Sequence, residues 1–132
     1  EPHRGSELAM YSSKKEFEID RFKHFRKKLQ KNVLNLIGRS DIEPDWAILY
    51  KWEENSYQTE HYDHASDRTV LTTVAYLNDG FTGGETYLEC GTKISPQKGR
   101  LLIFNGNEIL HGVNPIIGGQ RYSVSMWWKK SL

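Results

Sequence analysis

From residue 46 to residue 128 the chain is a succession of short β-branched and aromatic runs, each closed by residues that reverse a chain. This punctuation constrains the fold more than any other feature of the sequence. The runs 46–52 (WAILYKW), 59–63, 70–77, 85–89, 101–104, 109–113 and 121–128 each suit a strand, and 92–94 makes an eighth if it is counted. Between them stand Asn78-Asp79-Gly80, Gly83-Gly84, Ser95-Pro96, Gly99, Asn105-Gly106, Asn114-Pro115 and Gly118-Gly119. Gly83-Gly84 reads as turn geometry that needs positive φ, with no chemistry of its own. Seven or eight short strands with one covering helix predict a mainly β chain, closed as a double-stranded β-helix (jelly-roll) or barrel.

The covering helix lies upstream. Ser13 and Glu16 have the spacing of a capping box, and Phe22, Phe25, Leu29, Val33 and Leu36 then recur at intervals of three and four. The pattern predicts an amphipathic helix over residues 14–37, packed on one sheet and ended by Gly38 in a left-handed C-cap. The opposite face, with Lys15, Lys23, Arg26 and Lys27, reads as a solvated surface. Residues 1–13 are expected to be a flexible N-terminus or a remnant outside the fold, because the first nine lack any period. Residues 14–132 then form one domain with its jelly-roll over 46–129, as a length of 132 residues allows.

Charge and cysteine content narrow the partners. Eighteen basic residues against seventeen acidic ones give a net charge of +1, which demands neither nucleic acid nor an anionic membrane. A lone cysteine, Cys90, leaves no internal disulfide, and no apolar run reaches membrane-spanning length. A soluble, cytoplasmic protein is expected, with no membrane partner.

The candidate chemistry sits on the strands. In an extended run, His61 and Asp63 project to one face while Tyr62 turns away. His111, fifty residues on, completes a two-histidine, one-carboxylate set if the fold brings the two strands together. Such a facial triad suits non-haem Fe(II) and leaves open positions. On the last strand Arg121, Ser123, Ser125 and Trp127 share one face, and Tyr122, Val124, Met126 and Trp128 the other. The second face suits packing under the helix. The first places an arginine and two hydroxyls where a core wants apolar groups, so it reads as a cavity wall that holds an anion, with Arg121 as a bidentate fork and Ser123 adding a hydrogen bond.

His61-Tyr62-Asp63, His111 and Arg121-Tyr122-Ser123, in this order, resemble the Fe(II)- and 2-oxoglutarate-dependent dioxygenases. The segments LTTVAYLND, FTGGETYL, SPQKGRLLIFNG and LHGVNPIIGGQRYSVSMWW are similar to the prolyl 4-hydroxylase branch of that family. The resemblance runs from about residue 46 to residue 129. It implies that His61, Asp63 and His111 are the iron ligands and that Arg121 grips the distal carboxylate of 2-oxoglutarate. It implies that Tyr76 shares that carboxylate and that Val113, Trp127 and Tyr50 line the co-substrate pocket. The activity implied is hydroxylation of an unactivated C–H bond with O2, giving succinate and CO2, with ascorbate as the reductant. A proline in a peptide or protein is the leading substrate. Lysine, a free amino acid, another small molecule or a nucleobase is the enzymatic alternative, and a non-catalytic binding module on the same scaffold is the other. Nucleic acid is the least favoured partner, since no basic, aromatic-lined groove is evident outside the helix. Relatives of this branch usually carry several helices before the barrel, where this chain has one clear candidate. The oligomeric state is left open.

Overall fold

The structure, a computed structural model, describes residues 5–13, 19–64 and 66–132. Its elements in chain order are β1 (Ser6–Ser12), α1 (Asp20–Ile37), β2 (Ile42–Trp52), β3 (Gln58–His61), β4 (Thr69–Tyr76), β5 (Thr82–Gly83), β6 (Thr86–Leu88), β7 (Lys93–Ile94), β8 (Leu101–Phe104), β9 (His111–Val113), β10 (Ile116–Ile117) and β11 (Arg121–Lys130). The strands form a five-stranded sheet in the order β1-β2-β11-β4-β8, a four-stranded sheet in the order β3-β9-β6-β7, and the short pair β10-β5. Every pairing is antiparallel, and the two larger sheets make the expected jelly-roll. Each predicted β run contains a strand, including the optional eighth at β7. The seven-residue strand β1 and the two-residue strands β5 and β10 lie outside them, and at β5 the Gly83 and Gly84 backbones both take φ 69°. At Gly83 a Cβ would lie 2.1 Å from the Pro115 carbonyl oxygen, so the turn needs both the conformation and the missing side chain.

Alternation along β11 sets up the core. Val124, Met126 and Trp128 are fully buried on the side that meets α1, in a cluster with Phe22, Val33, Ala47 and Ala75. Each large apolar side chain buried this way contributes about 1.5–3 kcal/mol. The Trp128 indole keeps its N–H satisfied by donating to Thr73 Oγ1 at 2.9 Å. The opposite face of β11, with Arg121, Ser125 and Trp127, turns toward a cavity as the sequence suggested.

Three expectations for the N-terminal region need correction. Residues 6–12 are not outside the fold: they pair with β2 and cover what would otherwise be its open edge. A register shift between Glu7 and Ala9 puts Leu8 out into solvent, 48% exposed, which is why the segment shows no clean alternation. Second, Ser13 does not cap the helix. Its hydroxyl donates to Asp45 Oδ1 at 2.6 Å, and α1 begins at Asp20 after an extended Ile19 that offers no side-chain cap. The other half of the expected capping box, Glu16, and the helix start over residues 14–18 lie outside the described residues. Third, the buried stripe of α1 is rotated from the predicted one. Phe22, Arg26, Gln30 and Val33 face inward, while Phe25 and Leu36 are exposed. Arg26 packs its guanidinium carbon 3.7 Å above the Tyr11 ring of β1 and donates to Gln30 Oε1 at 3.1 Å. The other end matches expectation: Gly38 sits at φ 71° and donates its N–H to the Leu34 carbonyl. Among the described residues, no helix is long and apolar enough to cross a membrane.

Candidate active site

The register of β3 against β9 places His61 directly opposite His111, so two residues fifty apart in sequence have ring centroids 4.4 Å apart. Each ring is oriented by its own backbone. His61 Nδ1 lies 2.9 Å from the Thr59 carbonyl oxygen and His111 Nδ1 2.7 Å from that of Ile109. A carbonyl only accepts, so these contacts assign a proton to each Nδ1 and turn each Nε2 toward Asp63. Phe104 packs edge-on against His111 with centroids 4.8 Å apart.

Asp63 reaches the same point by a different route from the one expected. β3 stops at His61, so strand alternation does not position the carboxylate. Asp63 is held instead by its backbone N–H, which donates to the Gly106 carbonyl at 2.8 Å, and by the Trp127 indole, which donates to Oδ2 at 3.1 Å. Thr72 Oγ1 stands 3.4 Å from the same oxygen and accepts the Gly106 N–H at 3.1 Å. The other carboxylate oxygen, Oδ1, then lies 3.2 Å from His111 Nε2 and 3.6 Å from His61 Nε2. Burial works to raise the Asp63 carboxyl, but hydrogen bonds from His111, His61 and Trp127 outweigh it and hold the group below the usual carboxylate range.

One ligand atom from each of the three residues lies within 4.8 Å of the others. Donors bound at about 2.1 Å and at right angles lie about 3 Å apart, so the two histidine–aspartate distances fit a shared cation with little movement. Two neutral imidazoles and one carboxylate suit Fe(II) and leave half of an octahedron free.

Arg121 lines the same cavity, a space of about 230 Å³. It is 2% exposed, and among the described residues no carboxylate pairs with it. Its Nη2 donates to Thr86 Oγ1 at 3.2 Å, and its guanidinium carbon lies 5.2 Å from the ring centroids of both Trp52 and Tyr76. Its Nε has no partner. Burial pulls its pKa down, against an opposing effect of Tyr76. A desolvated cation without a counter-charge is costly, and a carboxylate entering the cavity would relieve that cost.

The remaining candidates divide. Tyr50, Val113 and Trp127 line the cavity with the histidines. Tyr76 and Ser123 are fully buried and do not line it: the Tyr76 hydroxyl is 2.6 Å from Thr86 Oγ1, and Ser123 Oγ has no partner. Among the contributors that escaped the sequence reading are Trp52, Thr72, Thr86, Phe104 and Gly106. Trp52 was the one with a signal, since the alternation that points Tyr50 inward in WAILYKW points Trp52 the same way. The others depend on contacts between strands that no local pattern announces.

The geometry agrees with what comparison with known proteins finds. A protein of Acanthamoeba polyphaga mimivirus named "Putative prolyl 4-hydroxylase" is 27% identical over a match covering 62% of this chain and 43% of its own length. Prolyl 3-hydroxylase 2 of Rattus norvegicus is 38% identical over 43% of this chain and 9% of its own. The chain thus spans less than half the length of either relative. Among solved structures, the prolyl hydroxylase of Trichoplax adhaerens, in complex with a hypoxia inducible factor oxygen degradation domain peptide fragment, superposes with a TM-score of 0.72 at 24% identity, over 84% of this chain and 59% of that one. The sequence model of the 2OG-Fe(II) oxygenase superfamily matches residues 46–129, which carry every residue of the cavity discussed above, and the chain belongs to that superfamily.

Proposed function

We propose that this chain is an Fe(II)- and 2-oxoglutarate-dependent dioxygenase that hydroxylates a prolyl residue of a peptide or protein, as a prolyl 4-hydroxylase does, releasing succinate and CO2. The observation that carries the reading is Arg121, a buried cation without a described counter-charge in the same cavity as a histidine–aspartate–histidine cluster. His61 and His111 would hold the metal through Nε2 and Asp63 through Oδ1. Bound Fe(II) with 2-oxoglutarate supplies the oxygen chemistry, and the protein supplies positioning and exclusion of water.

The residues divide that work. The Thr59 and Ile109 carbonyls fix both imidazole rings, and Trp127 fixes the carboxylate. Arg121 would bind the far carboxylate of 2-oxoglutarate, with Tyr76 acting through Thr86 and Ser123 contributing from the same strand. Tyr50, Val113 and Trp127 wall the space. The choice of proline as substrate is supported by the names of the mimivirus, rat and Trichoplax relatives, and ascorbate is the natural reductant for keeping such a centre ferrous. An exposed, unpaired Cys90 suits a reducing compartment such as the cytoplasm.

The test is turnover. Protein incubated with Fe(II), ascorbate and 2-oxoglutarate should release succinate, faster with a proline-rich peptide pool, and mass spectrometry should locate the added oxygen at C4 of the ring. Succinate without peptide stimulation would move the assignment to another substrate, and oxygen at C3 would correct the position. If no succinate forms, and His61→Ala binds iron as the parent does, the enzymatic reading fails.

A further inference from the structure

We infer that Trp52 is a second hydrogen-bond donor to the anion held by Arg121, so that the far carboxylate of 2-oxoglutarate meets an indole N–H as well as a guanidinium. The inference rests on reading the cavity as a 2-oxoglutarate site. Trp52 closes β2 directly opposite Arg121 of β11 in the antiparallel register, and the two side chains stack at 5.2 Å. Both line the cavity, and both are nearly fully buried, at 4% and 2% exposure. Each carries a buried N–H without a hydrogen-bond partner: Nε1 of Trp52 and Nε of Arg121.

Buried donors are nearly always satisfied, so two orphans on one strand pair call for a common explanation. An indole nitrogen only donates and has a single hydrogen to place, so water, a protein acceptor or a ligand must take it. No described protein group does. A carboxylate has two oxygens and about four lone-pair sites, enough to accept from the guanidinium and the indole together. The ring is also pinned from behind. The backbone at Gly5, which lines the same cavity, lies so close that a Cβ there would sit 2.7 Å from two indole carbons and 2.9 Å from Nε1. A phenylalanine would serve packing against Gly5 and Arg121, so the indole N–H is the part that packing leaves unexplained.

The test compares two 2-oxo acids by calorimetric titration of the zinc-loaded protein. 2-Oxoglutarate has the far carboxylate, and pyruvate lacks it. Trp52→Phe is expected to weaken 2-oxoglutarate by about tenfold or more while leaving pyruvate unchanged, and Gly5→Ala, which displaces the indole, should do the same. A readout free of any variant is the Trp52 indole N–H resonance of the 15N-labelled parent, which should move downfield with 2-oxoglutarate and stay in place with pyruvate. Unchanged 2-oxoglutarate binding in Trp52→Phe, equal loss for both acids, or an unmoved resonance would overturn the assignment. If the parent binds 2-oxoglutarate and Arg121→Ala abolishes this while Trp52→Phe does not weaken it, the site reading stands and the role of Trp52 falls. A parent that binds no 2-oxoglutarate overturns both.

Discussion

Asp63 is where the smallest details decide the most. Its two oxygens face opposite ways: Oδ1 toward the imidazoles of the four-stranded sheet, and Oδ2 toward Trp127 and Thr72 of the five-stranded one. Gly106 stands behind it, and a Cβ at that position would come within 2.0 Å of Oδ2 and 2.8 Å of Thr72 Oγ1. Gly106→Ala should therefore rotate or displace the carboxylate. Metal affinity, measured by competition with a chromogenic chelator, is expected to fall by at least tenfold, the size seen when a ligand loses its orienting partners. Trp127→Phe tests the same support from the other side, because it keeps an aromatic wall and removes the hydrogen bond to Oδ2. A loss of about 10–100-fold in metal affinity is expected, and unchanged affinity would show that Asp63 needs no such support. The identity of the three candidate ligands was legible in the sequence, yet the means of holding one of them was not. Strand period explains His61 and His111, which face each other in register, but Asp63 lies beyond the strand end and is placed by contacts from residues 9, 43 and 64 positions later.

At the level of elements, the strands were far more legible than the helix phase. A strand needs only alternation and a turn, and both are local. The inward stripe of α1 depends on what it meets, and it meets Tyr11 of β1, a strand that local pattern did not reveal. Counting apolar residues selects Phe25 and Leu36. The packed helix instead buries Arg26 and Gln30, because the arginine stem and guanidinium lie on the Tyr11 ring and the two polar ends bond each other. Substitutions separate the two stripes. Phe25→Ser and Leu36→Ser, at 39% and 73% exposure, should each change unfolding free energy by about 0.5 kcal/mol or less. Phe22→Ala, at 4% exposure in the cluster with Trp128, should cost about 3–5 kcal/mol. Urea unfolding followed by circular dichroism would check both, and a large loss at Leu36 would restore the stripe expected from sequence alone.

At the scale of the whole molecule, the candidate site is a joint between two sheets. His61 and His111 belong to β3 and β9 of the smaller sheet, and Arg121 to β11 of the larger one. A metal engages both sheets only through Asp63, whereas 2-oxoglutarate bound between the metal and Arg121 would tie them directly. The two ligands should then stabilise the fold in separable steps. Any species that binds only the folded state at a hundred times its Kd adds about 2.7 kcal/mol, which for a chain of this length raises Tm by several degrees. Zinc alone should give one increment in a thermal melt, and 2-oxoglutarate added to the zinc form a second. In Arg121→Ala the first increment should persist and the second disappear. In His111→Ala both should be lost, because the co-substrate then has no metal to bridge from. Were 2-oxoglutarate to stabilise the Arg121→Ala protein as much as the parent, its far carboxylate would have to bind elsewhere, and the joint between the sheets would be made by the metal cluster alone.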